Sequence, residues 1–167
     1  MQLHDIGLRP LAILFAIIAI GPIVMAVVLH RQSETINHYA FWGILAVSVL
    51  AFCAIGFSMF NRSIAIQDGN LNIKSTFYST SVHLSSISGV RIVAPNSKDD
   101  IVGTRVNGVG LPGFKSGWFS SKEGGRLFVD RVAGNYLLIF VDGKPRLAIA
   151  FADNSAAAEA LKTDIIR

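Results

Sequence analysis

Three side chains near the start of the chain, His30, Glu34 and His38, recur every four residues. On a helix they share one face, and two imidazoles with a carboxylate make a set that zinc accepts. The stretch holding them is a short polar link between apolar runs, and such a link needs no helix. Interfacial polar residues capping a turn account for the three, so no metal site is assigned. Gly108-Val-Gly110-Leu-Pro-Gly113 matches the G-x-G-x-x-G string of dinucleotide sites. That chemistry needs a helix starting within the string, so that its N–H groups meet a pyrophosphate. Pro112, Gly117 and Trp118 interrupt any such helix. Lys115 is also one residue too late for a P-loop. His83, Asp130, Asp142, Ser120 and Ser121 are available for hydrolysis, yet no spacing pairs a nucleophile with a base. The expectation is no catalytic residue, no cofactor and no enzyme activity.

The stretch most suited to binding runs from Arg105 to Phe119. It clusters Phe114, Trp118 and Phe119 among glycines, between the basic residues Arg105, Lys115 and Lys122. Aromatic and basic side chains dominate binding hot spots. The stretch reads as a long excursion between strands, its glycines serving turns and bulges. Arg105, Phe114, Lys115, Trp118 and Phe119 are the candidate contacts for a partner or a lipid surface. The competing account of Trp118 is that it fills the core. Lys98, Lys122, Arg126 and Arg131 can also meet anionic lipid headgroups. The net charge of +4 suits such a surface and is too small for a nucleic-acid signature.

The elements that must position these residues fall into two parts. Residues 11–29 and 40–60 are apolar and uncharged, each long enough to cover a hydrocarbon core of about 30 Å. They predict a transmembrane helical hairpin over residues 1–60, followed by a domain over 61–167. The first run is longer than a signal-peptide core and ends in Val-Val-Leu-His-Arg, so cleavage is not expected. Gly21-Pro22 should kink the first helix, and Tyr39, Phe41 and Trp42 form an interfacial aromatic belt. Neither run has an ionisable interior residue, which argues against a transporter acting alone. Arg9, Arg62 and Lys74 on one side outweigh Arg31 in the loop. That bias favours the domain on the cytoplasmic side. Cys53, the single cysteine, sits in the second run and is read as packing.

After residue 61 the pattern changes to short alternating runs: 63–67, 71–76, 81–84, 87–93, 126–131, 136–141 and 145–151. Asp68-Gly69-Asn70 and Asp142-Gly143 are hairpin turns. Asp153 or Asn154 caps a helix through Lys162, with Phe151, Ala157, Leu161 and Ile165 as its apolar stripe. The expected fold is an all-β sandwich or barrel closed by a C-terminal helix. This layout, with the Gly-Leu-Pro-Gly-Phe-x-x-Gly-Trp-Phe stretch ending at Phe119, resembles the bacterial pleckstrin-homology-like domains of small membrane proteins. The resemblance implies a fold and a membrane setting, the bacterial inner membrane. Phosphoinositide-binding relatives keep basic residues around the first hairpin turn, and here only Lys74 lies near it. The function expected is a membrane-held scaffold, adaptor or regulatory subunit for a membrane protein partner. The alternatives are a lipid- or ligand-sensing module and an accessory subunit of a membrane enzyme or transporter.

Overall fold

The structure is a computed structural model that describes residues 3, 12–14, 16–22, 24, 27–28 and 38–165, with side chains over 42–54, 56–58 and 61–163 in its continuous part. The membrane hairpin is corrected here. A π-helical turn, Ala16–Ile20, lies in the first run immediately before Gly21-Pro22. Proline has no N–H to donate to the preceding turn, which favours such an irregularity. The second run forms helix α1, His38–Phe60, with no acidic residue in its first turn and no basic residue in its last. Among the described residues no helix is long and apolar enough to cross a membrane. His30, Glu34, Arg9 and Arg31, and the side chains of His38, Tyr39, Phe41 and Ile165, lie outside the described residues.

Strands β1 (Ser63–Gln67), β2 (Asn70–Ser75) and β3 (Tyr78–His83) form a three-stranded antiparallel sheet. The six strands β4 (Ile87–Val93), β5 (Val102–Leu111), β6 (Phe114–Ser121), β7 (Arg126–Val132), β8 (Tyr136–Val141) and β9 (Lys144–Ile149) form a second sheet, in the order β4-β8-β9-β7-β6-β5. Helix α2, Asn154–Ile165, follows. The β-sandwich with a closing helix is as the sequence predicts, with two differences. The stretch read as an excursion is β5 and β6, and β7 pairs with β9 in parallel through Phe128↔Leu147. Both Asp-Gly cues form tight hairpins with positive φ at each central residue: 51° and 72° at Asp68 and Gly69, 50° and 74° at Asp142 and Gly143. That is the backbone a type I′ turn requires.

The large sheet buries apolar side chains on both faces, because β8 is a continuous apolar run. On the inner face Phe128, Leu137, Ile139 and Leu147 meet Leu71 and Ile73 of β2, and Phe151, Ala157 and Leu161 from the α2 region. On the outer face Leu127, Val129, Leu138 and Phe119 cluster with Ile101, from the 94–101 connection. Asp153 caps α2 by accepting from the N–H groups of Ser155 and Ala156, each at 2.9 Å.

Candidate functional site

The β5–β6 hairpin turns at Pro112-Gly113, between the paired residues Leu111 and Phe114. Gly113 has φ 81°, which fits proline followed by glycine at the centre of a type II turn. Gly108 and Gly117 face each other further down. A Cβ on Gly108 would sit 2.3 Å from the Ser116 carbonyl oxygen, and one on Gly117 (φ 107°) 2.6 Å from that of Asn107. Only glycine permits this approach. The G-x-G-x-x-G string is therefore a strand-to-strand element, with no helix behind it to hold a dinucleotide.

Alternation along β6 divides the five candidate residues. Phe114, Ser116 and Trp118 point inward. Phe114 is 1% exposed, lies 5.8 Å beneath the Arg62 guanidinium and packs with Leu14 and Val132. Trp118 is half-buried and meets Phe128 edge-on, with centroids 5.3 Å apart. The Ser116 hydroxyl is buried against those of Ser75 and Thr76, each at 2.8 Å, tying the two sheets together. Lys115 and Phe119 point outward. Phe119 is buried, and the Lys115 ammonium lies 5.6 Å from its ring centroid. Arg105 is exposed on β5 and pairs with Phe119. Its Cδ comes within 3.9 Å of where a Cβ of Gly110 would be, and Gly110 pairs with Lys115. Arg105, Lys115 and Phe119 thus share the outer face, whereas Phe114 and Trp118 belong to the inner one.

The structure adds Arg131, Asp100, Tyr136 and Lys122 to this group. Arg131 is directly opposite Lys115 in the β6–β7 ladder. Its Nη1 donates to Asp100 Oδ2 at 3.0 Å, and its guanidinium lies 5.0 Å from the Tyr136 ring. Tyr136 Oη donates to Asp100 Oδ1 at 3.0 Å, and Lys122 Nζ donates to the Asp100 carbonyl at 2.8 Å. The N–H groups of Asn96 and Val102 complete the carboxylate's partners. Burial alone would raise the Asp100 pKa, but the Asn96 N–H, Arg131 and Tyr136 outweigh it and hold the carboxyl at about 2. Burial, and then the Asp100 charge, push the Tyr136 phenol well above its ordinary range. Burial, and then the like charges of Arg131 and Lys122, lower the Lys115 pKa. Asp100 had no sequence cue: it sits in a polar connection, and only the strand register brings Arg131 to it.

A second buried charge joins α1 to the sheet. Arg62 grips Asp130 of β7 through Nη2–Oδ1 at 2.6 Å and Nε at 3.0 and 3.1 Å from the two oxygens. Asp130 is 0% exposed. Burial raises its pKa, against the opposing pull of Arg62 and Ser75.

Residues 62–164 match the family model described as Bacterial PH domain. The chain belongs to that family. No curated protein and no solved structure matches it. In this bacterial PH domain the first hairpin turn, Asp68-Gly69-Asn70, carries no Lys or Arg, and the basic group lies on the β5–β6–β7 face instead. Among the described residues no three His, Cys, Asp or Glu side chains gather to hold a metal. His83 bonds Ser85 at 2.7 Å as the local cap of the turn Leu84–Ser86. Ser120 accepts from the Thr104 N–H at 2.9 Å, and the Ser121 hydroxyl accepts from the Glu123 N–H. These serines serve turns and strand ends. Family membership points to a binding module.

Proposed function

We propose that the chain is a non-catalytic binding module, a scaffold, adaptor or regulatory subunit that docks a protein partner at a membrane surface along strand β5. The observation that carries this is the sheet edge. β5 ends the large sheet, with only β6 beside it. It runs from Val102 to Leu111, and residues 104–107 are all exposed, Val106 at 48%. An edge of that length offers unpaired N–H and C=O groups to a partner strand. Arg105 adds a charge beside them.

The membrane setting is supported by α1, where Trp42, Val47, Leu50 and Phe57 are 54–76% exposed. Apolar surface of this kind is ordinarily covered by lipid or by an apolar partner. The reading requires contact along that helix, not a crossing.

The test places a photo-crosslinking residue at Val106 in the full chain, in native membranes, and a second at Gly143 in the distant β8–β9 turn. One discrete adduct from position 106 and none from 143 is expected. Equal labelling from both positions, or none from 106, would refute the edge as the docking surface.

A further inference from the structure

Partner docking along β5 leaves one feature of the outer face without a role. Lys115 and Arg131 are directly opposed across the β6–β7 ladder. In that relation Cβ atoms are about 5 Å apart and like charges destabilise. Asp100 does not neutralise both. Its oxygens are occupied by Arg131, Tyr136 and the N–H groups of Asn96 and Val102. Among the described residues no carboxylate pairs with Lys115. Beside the two cations opens a cleft of about 230 Å³, walled also by Pro95, Asn96, Gly113 and Gly134, with no acidic residue in its lining. It is smaller than the about 300–1,000 Å³ of sites that take drug-sized ligands. It suits a small anionic group.

We infer that this cleft binds a phosphate group between the Lys115 ammonium and the Arg131 guanidinium. Asp100 engages Arg131 through Nη1 alone in this cluster, which leaves other N–H groups of the guanidinium fork for phosphate oxygens. The Asp100–Tyr136 bonds fix the guanidinium, so little side-chain entropy is lost on binding. Burial first, and then the charge of Arg131, lowers the Lys115 pKa, with Asp100 opposing in part, and an anion beside both cations would relieve the repulsive share. The same chemistry is presented by free phosphate and by a phospholipid headgroup. The inference deepens the binding-module reading but uses a different surface from the β5 edge. Crosslinks from position 106 can therefore fail while phosphate still binds, and the reverse.

The test titrates the purified full chain with inorganic phosphate by calorimetry, and floats it on vesicles of phosphatidylglycerol or of phosphatidylcholine. Lys115→Gln keeps much of the stem over Phe119 and should weaken phosphate binding about tenfold or more. Lys98→Gln removes an equal charge from an exposed site on the 94–101 connection and should change little. A preference for phosphatidylglycerol that Lys115→Gln abolishes assigns the phosphate to a headgroup. Phosphate binding without that preference assigns it to a free ligand. No binding of inorganic phosphate, or equal losses in the two variants, overturns the site. Should Lys115→Gln fail to fold, acylation of the wild-type chain decides: phosphate must shield Lys115 more than Lys98, and equal labelling overturns the proposal.

Discussion

Removing the Arg62 side chain should destabilise the domain more than any surface substitution, because it strands a fully buried carboxylate. Asp130 is 0% exposed and takes three short contacts from one guanidinium. Among its other neighbours Ser75 contributes a hydrogen bond, which cannot replace a charge. Breaking a buried ion pair from one side costs about 3–5 kcal/mol. Arg62 also covers the Phe114 ring, so Arg62→Ala belongs at the upper end of that range. The pH dependence separates lost charge from lost packing. Desolvation already raises the Asp130 pKa above its ordinary value, and Arg62 opposes that rise. For a raised carboxyl, stability is fullest below the ordinary carboxylate pKa and declines as pH rises through the folded value. Without Arg62 the folded pKa rises further, so the deficit of Arg62→Ala should shrink as pH falls towards 4. Urea denaturation of the full chain at pH 7 and pH 4.5, followed by tryptophan fluorescence, measures both. A pairwise replacement, Arg62→Met with Asp130→Leu, should recover most of the loss. A deficit under about 1 kcal/mol at pH 7, or one that stays constant with pH, would refute the argument.

Asp100→Asn should cost about 2 kcal/mol at pH 7, as follows from a carboxyl held at about 2. In the wild type that contribution is present above the ordinary carboxylate pKa and lost as pH falls towards 2, opposite in sign to Asp130, and acid titration of stability reads it. Trp118→Ala should lower stability by about 3 kcal/mol, since the indole packs edge-on against the buried Phe128, and thermal melts monitored by circular dichroism test it. Gly117→Ala should cost about 1–3 kcal/mol from its φ of 107° alone and more from the 2.6 Å clash with Asn107, measured by the same melts. Asp153→Ala should remove about 1 kcal/mol by uncapping α2, read from the urea midpoint.

Where hydrophobic alternation and turn chemistry agree, the fold is legible. β1, β4 and β8 fall on the residues their patterns mark, and Asp142-Gly143 turns as its φ preference demands. β5 was illegible because Gly103, Gly108 and Gly110 depress strand propensity. Gly103 and Gly108 are there for cross-strand proximity: a Cβ at 103 would lie 2.6 Å from Ser120 Oγ, just as one at 108 would meet Ser116. The parallel β7–β9 pair leaves no local cue either, since it joins strands separated by β8. The apolar N-terminal runs misled in another way. Composition supplies the hydrophobicity of a span, whereas among the described residues no helix is long and apolar enough to cross a membrane.

The candidate site was half legible for the same reason. Residue types in Arg105–Phe119 marked the stretch, but their facing depends on pleat and register. Phe114 and Lys115 are neighbours in sequence and opposite in duty. Phe114 seals the junction where Arg62 and Leu14 meet the sheet, while Lys115 turns to the outer face beside Arg131. β7 repeats the division, with Asp130 inward on Arg62 and Arg131 outward on Asp100. The two adjacent strands therefore carry an inward ion pair that fixes the end of α1 and an outward one that orients a cation at the cleft. An anion arriving at Lys115 and Arg131 would bear on strands whose opposite faces hold the base of that apolar helix.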